Sequence, residues 1–369
     1  MRVGIPTEVK ADENRVAITP SGVAAFRAHG HEVLVQAGAG QGSAIPDGAY
    51  QRAGGTIAET AADVWAQADL ILKVKEPMEP ELALMRPGQV LFTYLHLAAS
   101  KTLTEALLER RIVGIAYETV QLADGTLPLL VPMSEVAGRL SIQAGATSLE
   151  MISGGKGLLL PGVSGVRRGR VTIIGAGIVG LNACVVAVGF GADVTIIDIN
   201  PLRLAYVRDV VQGHVTTLMS NVANIEGAVS EADLVICAVL IPGAKAPRLV
   251  TRQHLRQMED GSALVDVAVD QGGCAETTRP TTHHDPRYVV DGVVHYCVSN
   301  MPGAVPHTST YALTNATMAY ALEIADRGWT AAADDDPALA GGVNLVDGRV
   351  THPAVAEAHA LEYTPLGKL

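Results

Sequence analysis

Four polar side chains lie where they could do chemistry, because each follows a predicted strand or sits in a loop beside one. Ligands of parallel sheets bind beyond the carboxyl ends of strands, so these positions favour function. A guanidinium can grip a carboxylate with two hydrogen bonds, and a buried ammonium needs an anion. Imidazole and carboxyl groups can transfer protons. The four side chains are Arg15, Lys75, His96 and Asp270.

A glycine-rich turn separates a predicted strand, Val171–Ile174, from a predicted helix. It reads Gly175-Ala-Gly177-Ile-Val-Gly180, and Asp198 ends the next strand. In this dinucleotide-binding pattern the first glycine permits a tight turn and the second lets the backbone approach a pyrophosphate. The third lets helix pack on strand, and free N–H groups of the helix bind the phosphates. Asp198 would accept hydrogen bonds from the ribose hydroxyls, which favours NAD over NADP, although Arg203 could pair with a ribose phosphate.

Three of the four polar residues also have a structural interpretation. Arg15 could be an exposed loop arginine, His96 a structural histidine, and Asp270 a cap before Gly272-Gly273. Taken together the four residues supply a guanidinium that can bind an anion, an ammonium and two groups that can transfer protons. Asp270 follows a strand of the nucleotide-binding half, so we expect it to face the nicotinamide. This set suits the oxidation of an amino acid.

Strands alternate with short helices in the first third of the chain, which predicts a mostly parallel sheet with helices on both faces. The predicted strands are Arg2–Ile5, Glu32–Val35, Asp69–Val74, Val90–Tyr94 and Ile112–Tyr117. Predicted helices between them include Ser21–His29, Ala61–Gln67 and Lys101–Arg110.

A second alternation begins near Arg170 and predicts a complete nucleotide-binding sheet. A long helix, Ser134–Ile152, precedes it with Ser134 as amino cap. Two late helices, Thr310–Asp326 and Pro353–Leu361, have no predicted strands of their own, so we expect them to return to the first domain. The predicted fold is α/β, with two doubly wound, mostly parallel sheets. A Rossmann NAD domain spans 131–305 and a discontinuous Rossmann-like substrate domain spans 1–130 and 306–369, linked by the long helix.

Composition sets limits on partners. The chain of 369 residues is longer than a single hydrophobic core usually serves. Its 48% hydrophobic and 18% charged residues indicate a folded α/β protein. A net charge of −11 without a basic run argues against nucleic acid and anionic membranes. No signal peptide or membrane span is predicted. Four cysteines without paired spacing predict no metal site and no disulfides, and they favour a cytoplasmic location.

The whole chain resembles the alanine dehydrogenase family, which is related to the NAD-binding subunit of proton-translocating transhydrogenases. The resemblance is carried by ordered blocks along the sequence. They are Met1-Arg-Val-Gly-Ile-Pro-Thr-Glu-Val-Lys, Asn14-Arg-Val-Ala-Ile-Thr-Pro, Leu72-Lys-Val-Lys-Glu-Pro, Phe92-Thr-Tyr-Leu-His-Leu-Ala, Pro132-Met-Ser-Glu-Val-Ala-Gly-Arg, Gly154-Gly-Lys-Gly, Asp266-Val-Ala-Val-Asp-Gln-Gly-Gly and Asn300-Met-Pro-Gly-Ala-Val-Pro-His-Thr-Ser-Thr.

The resemblance implies reversible, NAD-dependent oxidative deamination of L-alanine to pyruvate and ammonia through imine and carbinolamine intermediates. It implies that Arg15 and Lys75 hold the carboxylate and carbonyl of the substrate, and that His96 and Asp270 share acid–base roles. It also implies a homohexamer. Besides the glycines and Asp198, it implies an NAD site lined by Ser134, Ile178, Val179, Arg203, Ser220, Val239, Leu240, Val267, Asp270, Arg279, Val298, Asn300 and Met301.

Three alternatives stay open at the level of sequence. A transhydrogenase NAD(H)-binding subunit would pass hydride to NADP on a partner, but the separate set Arg15, Lys75 and His96 favours a free dehydrogenase. A catalytically silent NAD sensor has no positive support. A saccharopine-type enzyme would share the architecture and take a larger substrate, which only the size of the pocket would distinguish.

Overall fold

The computed structural model describes residues 1–239 and 246–369. Its strands are β1 Arg2–Ile5, β2 Glu32–Gln36, β3 Thr56–Ala58, β4 Leu70–Leu72, β5 Val90–Thr93, β6 Val113–Ala116, β7 Arg170–Ile174, β8 Asp193–Asp198, β9 Val215–Met219, β10 Leu234–Cys237, β11 Ala263–Asp266, β12 Arg287–Val290, β13 Val293–Tyr296, β14 Val343–Val346 and β15 Arg349–Val350.

The α-helices are α1 Pro20–Ala28, α2 Asp47–Arg52, α3 Ala61–Gln67, α4 Glu79–Leu82, α5 Lys101–Glu109, α6 Val131–Ser148, α7 Ile178–Gly189, α8 Pro201–Val210, α9 Val222–Ser230, α10 Arg252–Leu255, α11 Pro306–Arg327, α12 Trp329–Asp335, α13 Pro337–Gly342 and α14 Pro353–His359. Single turns of 3₁₀ helix lie at Gln41–Ser43, Leu97–Ala99, Tyr117–Thr119, Met151–Ser153, Val269–Gln271, Met301–Ala304 and Leu366–Lys368.

The chain forms two compact units. Unit 1 comprises Met1–Met133 and Val305–Leu369, and unit 2 comprises Ser134–Ala304. The sheet of unit 1 has the strand order β15-β14-β6-β5-β4-β1-β2-β3. Its pairs from β3 to β6 are parallel, whereas β14 is antiparallel to both β6 and β15. The sheet is therefore a doubly wound parallel core with an antiparallel extension.

Unit 2 repeats this arrangement. Its strand order is β12-β13-β11-β10-β7-β8-β9, parallel except for the antiparallel β12–β13 pair at one edge. Side chains alternate across the sheet, so Leu234 and Ile236 of β10 join one hydrophobic cluster, while Val235 and Cys237 join the other. Both faces of the sheet are thus covered, as parallel strands require.

The predicted fold class, two doubly wound α/β sheets, is confirmed, and most predicted elements are present. The long helix was placed wrongly at both ends. It begins at Val131 and ends at Ser148, so Ser134 lies within its first turn and is not its cap. Pro132 explains the earlier start, because proline is favoured in the first turn, where its missing N–H costs nothing.

The expectation that the carboxyl-terminal segment brings no strands is also wrong. It contains β14 and β15, and β14 extends the sheet of unit 1 beside β6. Strand β13 was likewise overlooked; it forms a hairpin with β12 through Asp291-Gly292. Of the helices in the described part of the chain, none combines the length and apolar character needed to cross a membrane.

Candidate functional site

In unit 1 the polar residues gather where the strand order reverses, between β1 and β4. Crevices outside the carboxyl ends of such strands are where ligands of doubly wound sheets bind. The chain leaving β1 carries Glu8 and Arg15, the chain leaving β4 carries Lys73 and Lys75, and His96 follows β5. The topology thereby brings together three of the side chains that the sequence singled out.

Arg15 is buried and held by a carboxylate two residues earlier. Its Nε and NH2 groups donate to the two oxygens of Glu13 at 2.6 and 2.5 Å, and NH1 donates to the sulfur of Met133 at 3.1 Å. Burial alone would lower the pKa of Arg15, but the hydrogen bonds and charge of Glu13 raise it. The guanidinium is therefore a fixed cation, and its interpretation as an exposed loop arginine is wrong.

Lys75 lies next to Arg15 but is held differently. Burial, followed by the positive charge of Arg15, lowers the pKa of Lys75. Its backbone N–H donates to Glu8 Oε2 at 3.3 Å, and its carbonyl accepts from the hydroxyl of Thr93 at 3.0 Å. Within residues 1–239 and 246–369 no ion pair engages its ammonium group. Two adjacent cations, one with its carboxylate partner and one without, make a receptor for an anionic substrate.

Lys73, two residues before Lys75, is fully buried and has a structural role. Its Nζ lies 2.9 Å from Glu8 Oε2 and 2.8 Å from Glu81 Oε1. Glu8 also accepts the backbone N–H of Val74 at 2.7 Å. Although burial raises the pKa of Glu8, the charge of Lys73 acts in the opposite direction. This buried group fixes the backbone that carries Lys75.

His96 is partly exposed and has the left-handed backbone conformation, with φ 49° and ψ 37°. Its ring stacks on Tyr94 with a centroid separation of 5.9 Å and an interplanar angle of 8°. The Tyr94 hydroxyl donates to the carbonyl of Leu129 at 2.5 Å, which fixes that ring. Glu118 accepts the backbone N–H of His96 at 2.5 Å.

Sequence reasoning missed the carboxylates that position these groups, Glu8, Glu13 and Glu118, and the buried cation Lys73. Only Glu13 had a usable signal, because it lies two residues before Arg15 in the same loop. Glu8 and Glu118 are 65 and 22 residues away from the groups they bond. Pairings over such separations have no local pattern.

In unit 2 the three glycines of the motif lie at the corresponding reversal of strand order, between β7 and β10. Gly175 has φ 104°, and a Cβ atom there would lie 2.6 Å from the carbonyl oxygen of Ala238. At Gly180 a Cβ atom would come within 1.7 Å of the oxygen of Gly175. A Cβ at Gly177, by contrast, would meet no described atom within 4 Å. The first and third glycines serve packing, and the second borders open space.

Asp198 ends β8 beside this turn. One carboxylate oxygen accepts the backbone N–H of Ala176 at 2.6 Å and the other that of Asn200 at 2.8 Å. Arg203 of α8 donates from Nε to the carbonyl of Ala176 at 3.0 Å, and the Ser220 N–H donates to the carbonyl of Asp198 at 2.9 Å. The structure therefore brings Asp198, Arg203 and Ser220 together around the glycine turn.

Asp270 is exposed in the 3₁₀ turn Val269–Gln271, and its carboxylate accepts the N–H of Asn300 at 3.4 Å. The turn is anchored by Asp266, which sequence reasoning did not assign a role. Asp266 accepts backbone N–H groups of Ala268 at 3.0 Å and Cys274 at 2.8 Å. Asp270 is thus presented to solvent by a rigid loop, and Asn300 lies beside it.

The remaining predicted NAD contacts are spread over unit 2. Ser134 lies in α6, and Ile178 and Val179 form the first turn of α7. Val239 and Val267 follow β10 and β11, Arg279 packs over the ring of Tyr288 at 4.1 Å, and Leu240 lies outside the described residues. Val298 and Met301 are buried in the core beside Asn300.

These residues fit NAD. Helix α7 begins at Ile178, and its N-cap residue Gly177 has no side chain to cap the first N–H groups, so those donors are available to phosphate. The open space at Gly177 lets a pyrophosphate approach the backbone. Each oxygen of Asp198 accepts one backbone hydrogen bond and keeps capacity for a second, from ribose hydroxyls.

Comparison with protein families gives two matches that together cover most of the chain. The amino-terminal domain of the alanine dehydrogenase/PNT family matches residues 4–137, and its carboxyl-terminal domain matches residues 141–353. The second match extends beyond unit 2 into α14 of unit 1.

Individual relatives agree with this result. Alanine dehydrogenases of Methanococcus maripaludis and Geobacillus stearothermophilus are each 57% identical, covering 100% of this chain and 99% of theirs. A solved L-alanine dehydrogenase has a TM-score of 0.95 at 50% identity, covering 98% of this chain and 99% of its own. A transhydrogenase from Sinorhizobium meliloti has a TM-score of 0.83 at 27% identity, covering 96% and 100%.

Proposed function

This chain belongs to the alanine dehydrogenase/PNT family, and we propose that it catalyses the reversible, NAD-dependent oxidative deamination of L-alanine to pyruvate and ammonia. It is an oxidoreductase acting on a CH–NH₂ group, with NAD as its cofactor. The transhydrogenase alternative is less well supported, because the solved transhydrogenase is 27% identical while full-length alanine dehydrogenases reach 57%. The observation that carries the proposal is the adjacent pair of cations, Arg15 and Lys75, in unit 1.

Arg15 binds the carboxylate of the substrate in this proposal, and Lys75 binds the oxygen of pyruvate. Glu13 accepts hydrogen bonds from the Nε and NH2 groups of Arg15, which fixes the guanidinium that binds the substrate. The lowered pKa of Lys75, caused by burial and then by Arg15, makes its ammonium a stronger hydrogen-bond donor to developing negative charge. Unit 1 is therefore proposed as the substrate domain, with the predicted range 1–130 and 306–369.

Protons are moved by His96 or Asp270. Loss of hydride from Cα and of a proton from the amine gives an imine, water adds to form a carbinolamine, and ammonia leaves to give pyruvate. His96 offers an imidazole, and Asp270 is the exposed carboxylate of the loop after β11; both kinds of group can transfer protons. Either group can accept the proton of the attacking water. Comparing the amide variants of the two residues would show which of them does so.

Unit 2 is proposed as the NAD-binding domain, with the predicted range 131–305. NAD, when bound, accepts the hydride from Cα. Gly175, Gly177 and Gly180 keep the turn compact, and Asp198 orients the ribose. The remaining proposed NAD-contact residues are Ser134, Ile178, Val179, Arg203, Ser220, Val239, Leu240, Val267, Asp270, Arg279, Val298, Asn300 and Met301.

A homohexamer and a cytoplasmic location complete the proposal. Support for self-association comes from apolar side chains that the single chain leaves exposed in unit 2. Ile152 is 93% exposed, Met151 78%, and Leu159 61%. Light scattering of the purified chain tests the hexamer, and a monomer at assay concentration would exclude it.

The activity is tested by following the oxidation of NADH in the presence of pyruvate and ammonium. Glyoxylate and a larger keto acid serve as alternative substrates, and NADPH serves as an alternative cofactor. Rapid, ammonium-dependent turnover of pyruvate with NADH is expected. Tight NADH binding without turnover would instead favour the transhydrogenase-like or sensor alternatives, and a preference for the larger keto acid would favour a saccharopine-type enzyme.

A further inference from the structure

The backbone at His96 is in a conformation that residues other than glycine adopt only with local support. With φ 49° and ψ 37°, the residue lies in the left-handed region, which is unfavourable for an L-residue. The support comes from Glu118, which follows β6. Glu118 Oε1 accepts the N–H of His96 at 2.5 Å, and both carboxylate oxygens lie 3.2 Å from the N–H of Leu95. One carboxylate thus binds two successive peptide groups.

The same carboxylate also acts on the imidazole of His96. Nδ1 of His96 lies 4.0 Å from Glu118 Oε1. The side chain of Glu118 is 15% exposed and that of His96 is 44% exposed, so water only partly screens their interaction. The ring cannot easily turn away, because it stacks on Tyr94. The nearby carboxylate and the stacked ring together limit the orientations open to the imidazole.

Two other titratable groups face Glu118. Tyr94 is the first: burial raises the pKa of its hydroxyl, the charge of Arg15 lowers it, and the charge of Glu118 raises it. His352, immediately before α14, is the second. Burial lowers the pKa of His352, and the charge of Glu118 opposes that effect. Nδ1 of His352 is buried and finds no hydrogen-bond partner within 1–239 and 246–369.

We propose that Glu118 is the positioning residue for His96: its carboxylate holds the left-handed turn that presents the imidazole. The inference rests on the acid–base role proposed for His96 above. Glu118 itself touches no reacting atom. It acts through His96 as Glu13 acts through Arg15.

The test compares pH profiles of kcat for wild type, Glu118→Gln, Glu118→Asp and His96→Asn. Glutamine keeps the shape and one carbonyl acceptor but removes the charge. We expect Glu118→Gln to lower kcat about tenfold, because a single amide oxygen replaces the two carboxylate oxygens that accept the N–H groups of Leu95 and His96. The KM for pyruvate should change by less than about twofold, because Arg15 and Lys75 are untouched.

Glu118→Asp, which keeps a carboxylate, should recover part of the kcat that is lost in Glu118→Gln. In the His96→Asn background, Glu118→Gln should cost less than about twofold further, since a positioning residue loses its effect with its target. Asp124→Asn is the matched control, because that exposed carboxylate also accepts a backbone N–H, from Thr126 at 2.9 Å. It should behave as wild type.

Two results would overturn the inference. They are a kcat for Glu118→Gln equal to that of wild type, and an equal cost of that substitution with and without His96. Thermal unfolding and NADH binding identify a variant that has failed to fold, and the isosteric glutamine variant is the one chosen to avoid this. A wild-type protein without ammonium-dependent turnover would contradict the proposed function itself, which separates the two failures.

Discussion

The two units share a strand order but use the point of its reversal in different ways. In unit 1 the reversal lies between β1 and β4 and carries Arg15 and Lys75, with carboxylates that hold the cationic segments. In unit 2 it lies between β7 and β10 and carries glycines and unbonded helix N–H groups. The positive charge at this point comes from side chains in unit 1 and from backbone dipoles in unit 2.

Unit 2 also has a buried carboxylate with two cationic partners, but it lies at the opposite end of the strands. Asp233 directly precedes β10 and lies 2.6 Å from Lys156 Nζ and 2.6 Å from Arg167 NH1. These partners hold the segment before β7. Paired charges therefore serve structure at the amino ends of the strands of unit 2, whereas those at the carboxyl ends of the strands of unit 1 are proposed to bind a ligand.

Removing Glu13 should cause the largest loss of stability. Glu13→Ala leaves Arg15 buried without its bidentate partner, and breaking a buried pair from one side costs about 3–5 kcal/mol. Denaturant unfolding of unit 1, followed by its tryptophans, measures this. Glu32→Ala is the control, because Glu32 pairs with Arg2 on the surface and such pairs contribute about 0–1 kcal/mol. Equal losses in both variants would contradict the importance of buried charge in unit 1.

Lys75→Ala should reduce turnover with pyruvate by about 10²–10³-fold while NADH still binds, because the substrate oxygen loses a donor. Lys101→Ala, which removes an exposed lysine paired with Glu105, should behave as wild type. Initial rates and fluorescence titration of NADH provide the two measurements. Unchanged turnover in Lys75→Ala would remove this lysine from the reaction.

Gly180→Ala tests the packing role of backbone in unit 2. A methyl group 1.7 Å from the oxygen of Gly175 forces the turn open, which we expect to cost about 1–3 kcal/mol and to weaken NADH binding. Gly189→Ala is matched within the same helix, since its Cβ would meet no described atom within 4 Å. Calorimetry of NADH binding separates the two variants, and wild-type affinity in Gly180→Ala would contradict the packing argument.

The smallest expected effect is a pH dependence of unit 2. Burial alone would raise the pKa of Asp233, but Arg167 and Lys156 lower it to about 2. Because the folded value lies below the unfolded one, the stabilisation is complete above about pH 4 and is lost as pH falls toward 2. It amounts to roughly 1–3 kcal/mol. The difference in melting temperature between wild type and Asp233→Asn should narrow on acidification; a constant difference would contradict this.

Features encoded by short stretches of sequence could be predicted. The glycine motif and Asp198 lie within one strand–helix–strand segment, so its geometry follows from local rules. Arg15, Lys75 and His96 were found because each follows a strand. Their carboxylate partners were not, since Glu118 meets His96 only through the pairing of β5 with β6. Strands β14 and β15 escaped because they are short and depend on the edge of β6 for their hydrogen bonds.

The central claim is that the cations of unit 1 bind a small keto acid for NADH-dependent amination. The most direct measurement is the rate of NADH oxidation with pyruvate, with and without ammonium, in wild type and in Lys75→Ala. We predict rapid turnover that requires ammonium in wild type and a near-complete loss in the variant, with NADH binding retained in both. Wild-type protein that binds NADH but leaves pyruvate unchanged in the presence of ammonium would contradict the account.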